Sequence, residues 1–133
     1  MVNRARKDLA ACEVLLKGSL EDYENVGFYA QQSAEKFIKA FLVRHQIEFS
    51  KTHNIALLTQ LVASVDRELA KKLAGADALT PYGVEFRYPG DLPSVSRTEG
   101  EKALRLAEQT RDVIIGSLKS YLDAGRPGSG TKK

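Results

Sequence analysis

Three groups of residues in this 133-residue chain have the types and spacing to do chemistry. The first is Lys51-Thr52-His53-Asn54, placed where a helix is expected to begin. Backbone N–H groups at a helix start attract an anion, and Lys51 with a protonated His53 would assist. Ordinary capping, with His53 against a neighbouring helix, is the plainer reading. The second is Glu85-Phe86-Arg87-Tyr88-Pro89-Gly90. An arginine held between two aromatics just before a chain break suits planar recognition of phosphate or stacking on a base. An Arg87–glutamate pair closing a helix end explains the same residues equally well. The third is Gln32, Glu35 and Lys39, which share one strip of a helix, with Gln31 and Lys36 beside it. A solvated face is the ordinary reading of such a strip, and the wall of a polar cleft is the functional one.

Several chemistries are excluded by motif. The sequence has no glycine-rich phosphate loop and no Gly-x-Ser-x-Gly. His45 and His53 stand outside a His-Glu-x-x-His frame, and with one cysteine they do not suggest a zinc site. No cofactor and no metal are expected. Cys12 falls on the apolar face of the first helix, which reads as a buried small hydrophobe rather than a nucleophile.

The element that must position these groups is the stretch from Val26 to Val43. Tyr23, Gly27, Ala30, Ala34, Phe37, Ile38 and Phe41 fall on one face at i, i+3, i+4, i+7 spacing, which predicts an amphipathic helix. Its small residues come first and its phenylalanines last, so a neighbour can approach closely at one end. A second, partly apolar strip runs through Tyr29, Ser33, Ala40 and Val43. Two such strips imply more than one neighbour and give a motive for a subunit contact. This helix is expected to end near Arg44-His45-Gln46.

A first helix is expected from about Asn3 to Lys17, ended by Gly18-Ser19, with Ala5, Leu9, Cys12 and Leu16 inward. Glu21 and Asp22 suit the start of the central helix. Thr52 is expected to cap a third helix carrying Ile55, Leu58, Leu61, Val62 and Val65. Another helical segment begins at Asp66 and reaches Leu73 or Leu79, weakened by Gly75. Thr80-Pro81 reads as a helix start, with Thr80 as the capping hydroxyl. Ser96-x-x-Glu99 and Thr98-x-x-Glu101 are two overlapping capping boxes ahead of a last long helix that turns Ala103, Ala107, Thr110, Ile114, Leu118 and Tyr121 inward. No strand pattern is found. The expected class is all-α, an antiparallel up-and-down bundle of four to five helices over residues 1–122, with 123–133 as a flexible tail.

Composition agrees with a single soluble domain: 43% hydrophobic and 28% charged residues. No apolar run approaches the roughly 20 residues that span a bilayer. The N-terminus carries no secretory h-region, so a cytoplasmic location is expected. The net charge is +3, but Asp123, Arg126, Lys132 and Lys133 account for two of those charges, leaving +1 on residues 1–122. Bulk charge therefore gives little support to non-specific nucleic-acid binding.

Ala30-Gln31-Gln32-Ser33-Ala34-Glu35-Lys36, Phe49-Ser50-Lys51-Thr52-His53 and Val84-Glu85-Phe86-Arg87-Tyr88-Pro89-Gly90, in that order, resemble HEPN domains (higher eukaryotes and prokaryotes nucleotide-binding). The resemblance covers roughly residues 3–122. It implies a small helical bundle similar to the helical domain of kanamycin nucleotidyltransferase. It also implies a homodimer, and pairing with a minimal nucleotidyltransferase, often as toxin and antitoxin. Ribonuclease members carry Arg-x(4–6)-His near the start of the last helix, and here that helix has no histidine. The one comparable pair, Arg44 and His53, has eight residues between its members and lies elsewhere in the chain.

Two functions follow as expectations. One is a non-catalytic homodimeric module that binds a nucleotide or a nucleotidyltransferase partner. Arg87 and Lys51 would meet phosphate, Tyr88 would stack on a base, and Lys36, His53, Gln32, Glu35 and Glu85 would complete the cleft. The other is a ribonuclease with a non-standard site, in which His53 takes a proton from a ribose hydroxyl and Arg87 stabilises phosphate charge. A helical dimer with no ligand is the bland alternative.

Overall fold

The computed structural model describes residues 1–84 and 95–125, with backbone alone at residue 84 and residues 120–125. The long helices are α1 (Val2–Lys17), α2 (Tyr23–Arg44) and α6 (Arg97–Gly125). Between α2 and α6 lie α3 (Ile55–Ala63), α4 (Arg67–Lys72), a 3-10 helix (Ala74–Leu79) and α5 (Thr80–Val84). No strand occurs among the described residues, and the protein is an all-α bundle.

α2 is the axis, touching α1, α3, α5, the 3-10 helix and α6. The inward face read from the sequence is the one buried: Ala30, Ala34, Phe37, Ile38 and Phe41 are all at most 1% exposed. α1 returns antiparallel to α2. The Cys12 thiol donates to the Val26 carbonyl and the Ser33 hydroxyl to the Ala5 carbonyl, so numbers rise along one helix as they fall along the other. Ser33, on the second strip of α2, is thereby buried against α1, whereas Val43 on the same strip is exposed. α6 lies on α2 in the same sense. Gly100 packs on Tyr23 and Val26, while Leu118 shares a groove with Ala40 and Val43. The chain between them, with its short helices, carries α6 back to the starting end of α2.

The helix ends follow local chemistry, with corrections to the expected caps. Asp22 caps α2, its carboxylate accepting from the Asn25 N–H. α2 closes in a Schellman pattern: the Ile47 N–H donates to Leu42 O, the Gln46 N–H to Val43 O, and Gln46 sits at φ 58°. α3 is capped by Asn54, which accepts from the Leu57 N–H, and not by Thr52, whose hydroxyl accepts from the Asn54 N–H instead. Thr80 is not a local cap either. It is the first residue of α5, and its hydroxyl accepts from the Ile55 N–H at the start of α3. Ser96 and Glu99 form the expected reciprocal capping box. Thr98 and Glu101 do not, because Thr98 already lies inside α6 and Glu101 pairs with Arg97. The segment expected over 66–79 divides. α4 stops at Lys72 and the chain tightens into 3-10 geometry around Gly75, where helix propensity is lowest. α6 continues to Gly125, and residues 126–133 lie outside the described residues.

Candidate functional site

The polar strip of α2 is not a solvated face. Gln31 is 0% and Glu35 4% exposed. They are buried because the link from α2 to α3 runs back along this strip and α5 closes over its upper end. His53, from the link, sets its ring nitrogen Nδ1 2.8 Å from Glu35 Oε1. α5 comes so close that a Cβ on Gly83 would stand 2.5 Å from the Gln31 amide carbon. A Cβ on Gly27, one turn earlier on α2, would stand 2.5 Å from the Tyr82 ring. Only glycine permits either approach.

Every buried side-chain donor and acceptor in this layer is used, as burial of polar atoms requires. Gln31 Nε2 donates to Glu35 Oε1 (2.8 Å) and to the His53 carbonyl (3.2 Å). Gln31 Oε1 accepts from Gln32 Nε2 at 2.7 Å. Lys39 Nζ donates to Glu35 Oε2 at 2.8 Å and lies 5.5 Å from the centre of the Phe49 ring. Among the described residues no buried side-chain nitrogen or oxygen lacks a partner. Burial alone would raise the Glu35 carboxyl. The hydrogen bonds from Lys39, His53 and Gln31 outweigh it and hold the carboxyl below its ordinary value.

The structure thus brings together Gln31, Gln32, Glu35 and His53. Lys36 turns away to α1, where Nζ meets Asp8 Oδ2 at 2.5 Å. Lys51 is exposed two residues before His53. Glu85, Arg87 and Tyr88 lie outside the described residues, which stop at Val84, next to the Gly83 that abuts Gln31. Lys39 and Gln31, named in the polar strip but not among the expected ligand-binding residues, belong to the site. The i, i+4 spacing of Gln31, Glu35 and Lys39 was the available signal. The expected anion site at the start of α3 is altered: Asn54 and Thr80 oxygens already accept from the Leu57 and Ile55 N–H groups there.

The His53 side chain is 54% exposed, so one edge of the ring meets Glu35 and the rest faces solvent. Three open grooves among the described residues lie elsewhere, between the ends of α1, α2 and α6, between α1 and α6, and between α4 and α6. None is lined by Gln31, Glu35 or His53. No cluster of three metal-ligating side chains occurs among the described residues. No helix there is long and apolar enough to cross a membrane. Cys12 is buried, and burial first, then the charges of Glu13 and Glu108, push its thiol up to about 12, so it is no nucleophile.

An all-α bundle whose second helix buries a glutamine–glutamate pair against an exposed histidine of the following link defines the class of protein: a small helical module with a polar site on its axis. The chain belongs to the HEPN domain family, whose profile matches residues 1–118. It is similar to TT1696 from Thermus thermophilus, with 29% sequence identity and a TM-score of 0.68 over 86% of this chain and 93% of that one. No curated protein matches it. Membership points to a nucleotide-binding module.

Proposed function

We propose that the protein is a non-catalytic nucleotide-binding HEPN module. In this reading it works as a cytoplasmic homodimer beside a minimal nucleotidyltransferase, in a toxin–antitoxin type of pair. The observation that carries it is the buried Gln31–Glu35 pair with the exposed His53 ring at its edge. Relative to an apolar residue in its place, an interior carboxylate adds little to the stability of a bundle of this size. Removing charge from water costs several kcal/mol unless it is fully paired, and apolar residues would pack there at least as well. The layer is kept for what it presents at its exposed edge, the His53 ring. Lys51 and Arg87 supply charge for phosphate and Tyr88 a stacking surface, with Gln32, Glu35 and Glu85 on the polar wall. Lys36 supports that wall through Asp8.

Calorimetric titration with nucleoside triphosphates, on wild type and Arg87→Ala, tests the reading. Wild type is expected to bind and the variant to bind about tenfold or more weakly, the loss typical of a charged hydrogen-bonding group. Equal binding would remove Arg87 from the site, and no binding to wild type would remove the module reading. Sedimentation with and without the neighbouring nucleotidyltransferase tests dimer and partner.

A second reading is a ribonuclease with a non-standard site. The Glu35–His53 contact favours it, since a carboxylate-oriented imidazole is the usual form of a general base. Here His53 would take the proton of a ribose hydroxyl and Arg87 would stabilise the phosphate. RNA left intact after prolonged incubation with the pure protein at several pH values sinks this reading. Cleavage lost in His53→Ala supports it.

A further inference from the structure

We propose that Glu35 is a positioning residue that fixes the tautomer of His53, so that Nε2 offers a lone pair to accept a hydrogen bond from a sugar hydroxyl of a ribonucleotide. This rests on the nucleotide-binding reading and names the part of the ligand that the histidine meets.

The tautomer follows from the acceptor. Glu35 is buried and ionised, and an ionised carboxylate has no proton to give. Its Oε1 lies 2.8 Å from His53 Nδ1, so Nδ1 must carry the hydrogen and donate. A neutral imidazole has one ring hydrogen, which leaves Nε2 bare. Gln31 holds the same segment from behind through its bond to the His53 carbonyl, which fixes the backbone that carries the ring. No described residue hydrogen-bonds to Nε2, and the side chain is 54% exposed.

The electrostatics select the donor. Lys39 is spent on Glu35 and Lys36 on Asp8, so the two ammonium groups and two carboxylates cancel. The layer therefore presents a lone pair without an excess of positive charge. Phosphate oxygens, which only accept, gain nothing from a bare Nε2. A hydroxyl, which donates, does. Among the parts of a nucleotide, the ribose hydroxyls are the donors common to all bases.

Two measurements decide it. The first is the nitrogen magnetic resonance of isotope-labelled histidine rings, read at the alkaline end of a pH titration, with His53→Gln assigning the signals against His45. The expected result is the Nδ1–H tautomer for His53. Glu35→Gln is expected to reverse it. The new amide must keep its oxygen on Lys39, and so turns its N–H groups toward His53 Nδ1. An Nε2–H ring in wild type overturns the proposal. The second is titration with the four ribonucleoside triphosphates and their 2′-deoxy and 3′-deoxy counterparts. One deoxy series is expected to bind about three- to tenfold more weakly than the ribonucleotides, the value of one neutral hydrogen bond. The gap is expected to close in Glu35→Gln and in His53→Ala. The latter alters a mostly exposed ring and keeps the test available if the buried variant does not fold. Equal affinity for all sugars, or a preference set by the base alone, overturns this proposal and leaves the nucleotide-binding reading standing. No binding of any nucleotide overturns both.

Discussion

At Glu35 one carboxylate takes three donors: Gln31 and His53 on Oε1, Lys39 on Oε2. The sign of its effect on stability follows from its lowered pKa. As pH falls, the unfolded chain takes up the proton first, near the ordinary value of 4.5, while the folded chain resists. The contribution is therefore fully present above that value and is lost as pH falls through the lower, folded-state value. Denaturant unfolding measured across this range is expected to show wild type losing stability more steeply than Glu35→Gln. Equal slopes would mean that the carboxyl takes up its proton alike in the folded and the unfolded chain. Gly83 provides a second residue-scale test. Its absent Cβ would meet Gln31, which three hydrogen bonds hold in place, so Gly83→Ala is expected to cost about 1–3 kcal/mol in thermal or denaturant unfolding. A smaller loss would show that Gln31 can yield.

At the scale of elements, two helices carry correctable costs. Gln46 closes α2 at φ 58°, a conformation that glycine adopts without strain. Gln46→Gly is expected to stabilise the fold by roughly 0.5 kcal/mol, the relieved strain exceeding the added freedom of the unfolded chain. Gly116 lies within α6, and a Cβ there would meet nothing within 4 Å. Gly116→Ala is expected to gain about 0.5–1 kcal/mol, read as a raised melting temperature. What was legible in the sequence divides along the same line. The apolar face of α2 could be read because its period is a property of the segment alone, and Phe37, Ile38 and Phe41 were placed inward correctly. The Ser96–Glu99 capping box was legible for the same reason. Burial of Gln31 and Glu35 was not, because what covers them is the link at His53 and the glycine at 83, distant in sequence. Thr52 and Thr80 both look like caps of their own helices, and only the packed chain shows that Asn54 holds one position and that Thr80 serves α3. The tautomer of His53 needed the partner atom, which no spacing reveals.

Across the whole molecule, α1 and α2 are one unit with α6 packed on it, and Cys12 reports on that unit. Its thiol is 0% exposed, donates to the Val26 carbonyl and is held protonated. Labelling by a thiol reagent is expected to be negligible in native buffer and to rise with denaturant in parallel with loss of helical circular dichroism. Labelling that runs ahead of the dichroism would show α1 detaching on its own. The bond from the Ile55 N–H to the Thr80 hydroxyl has a consequence for the order of assembly. α3 has nine residues, too few to persist alone in water. Its first turn borrows an oxygen from a residue 25 positions downstream. A chain emerging from synthesis can therefore build the α1–α2 hairpin from local contacts, but it cannot finish α3 until α5 has been made and docked.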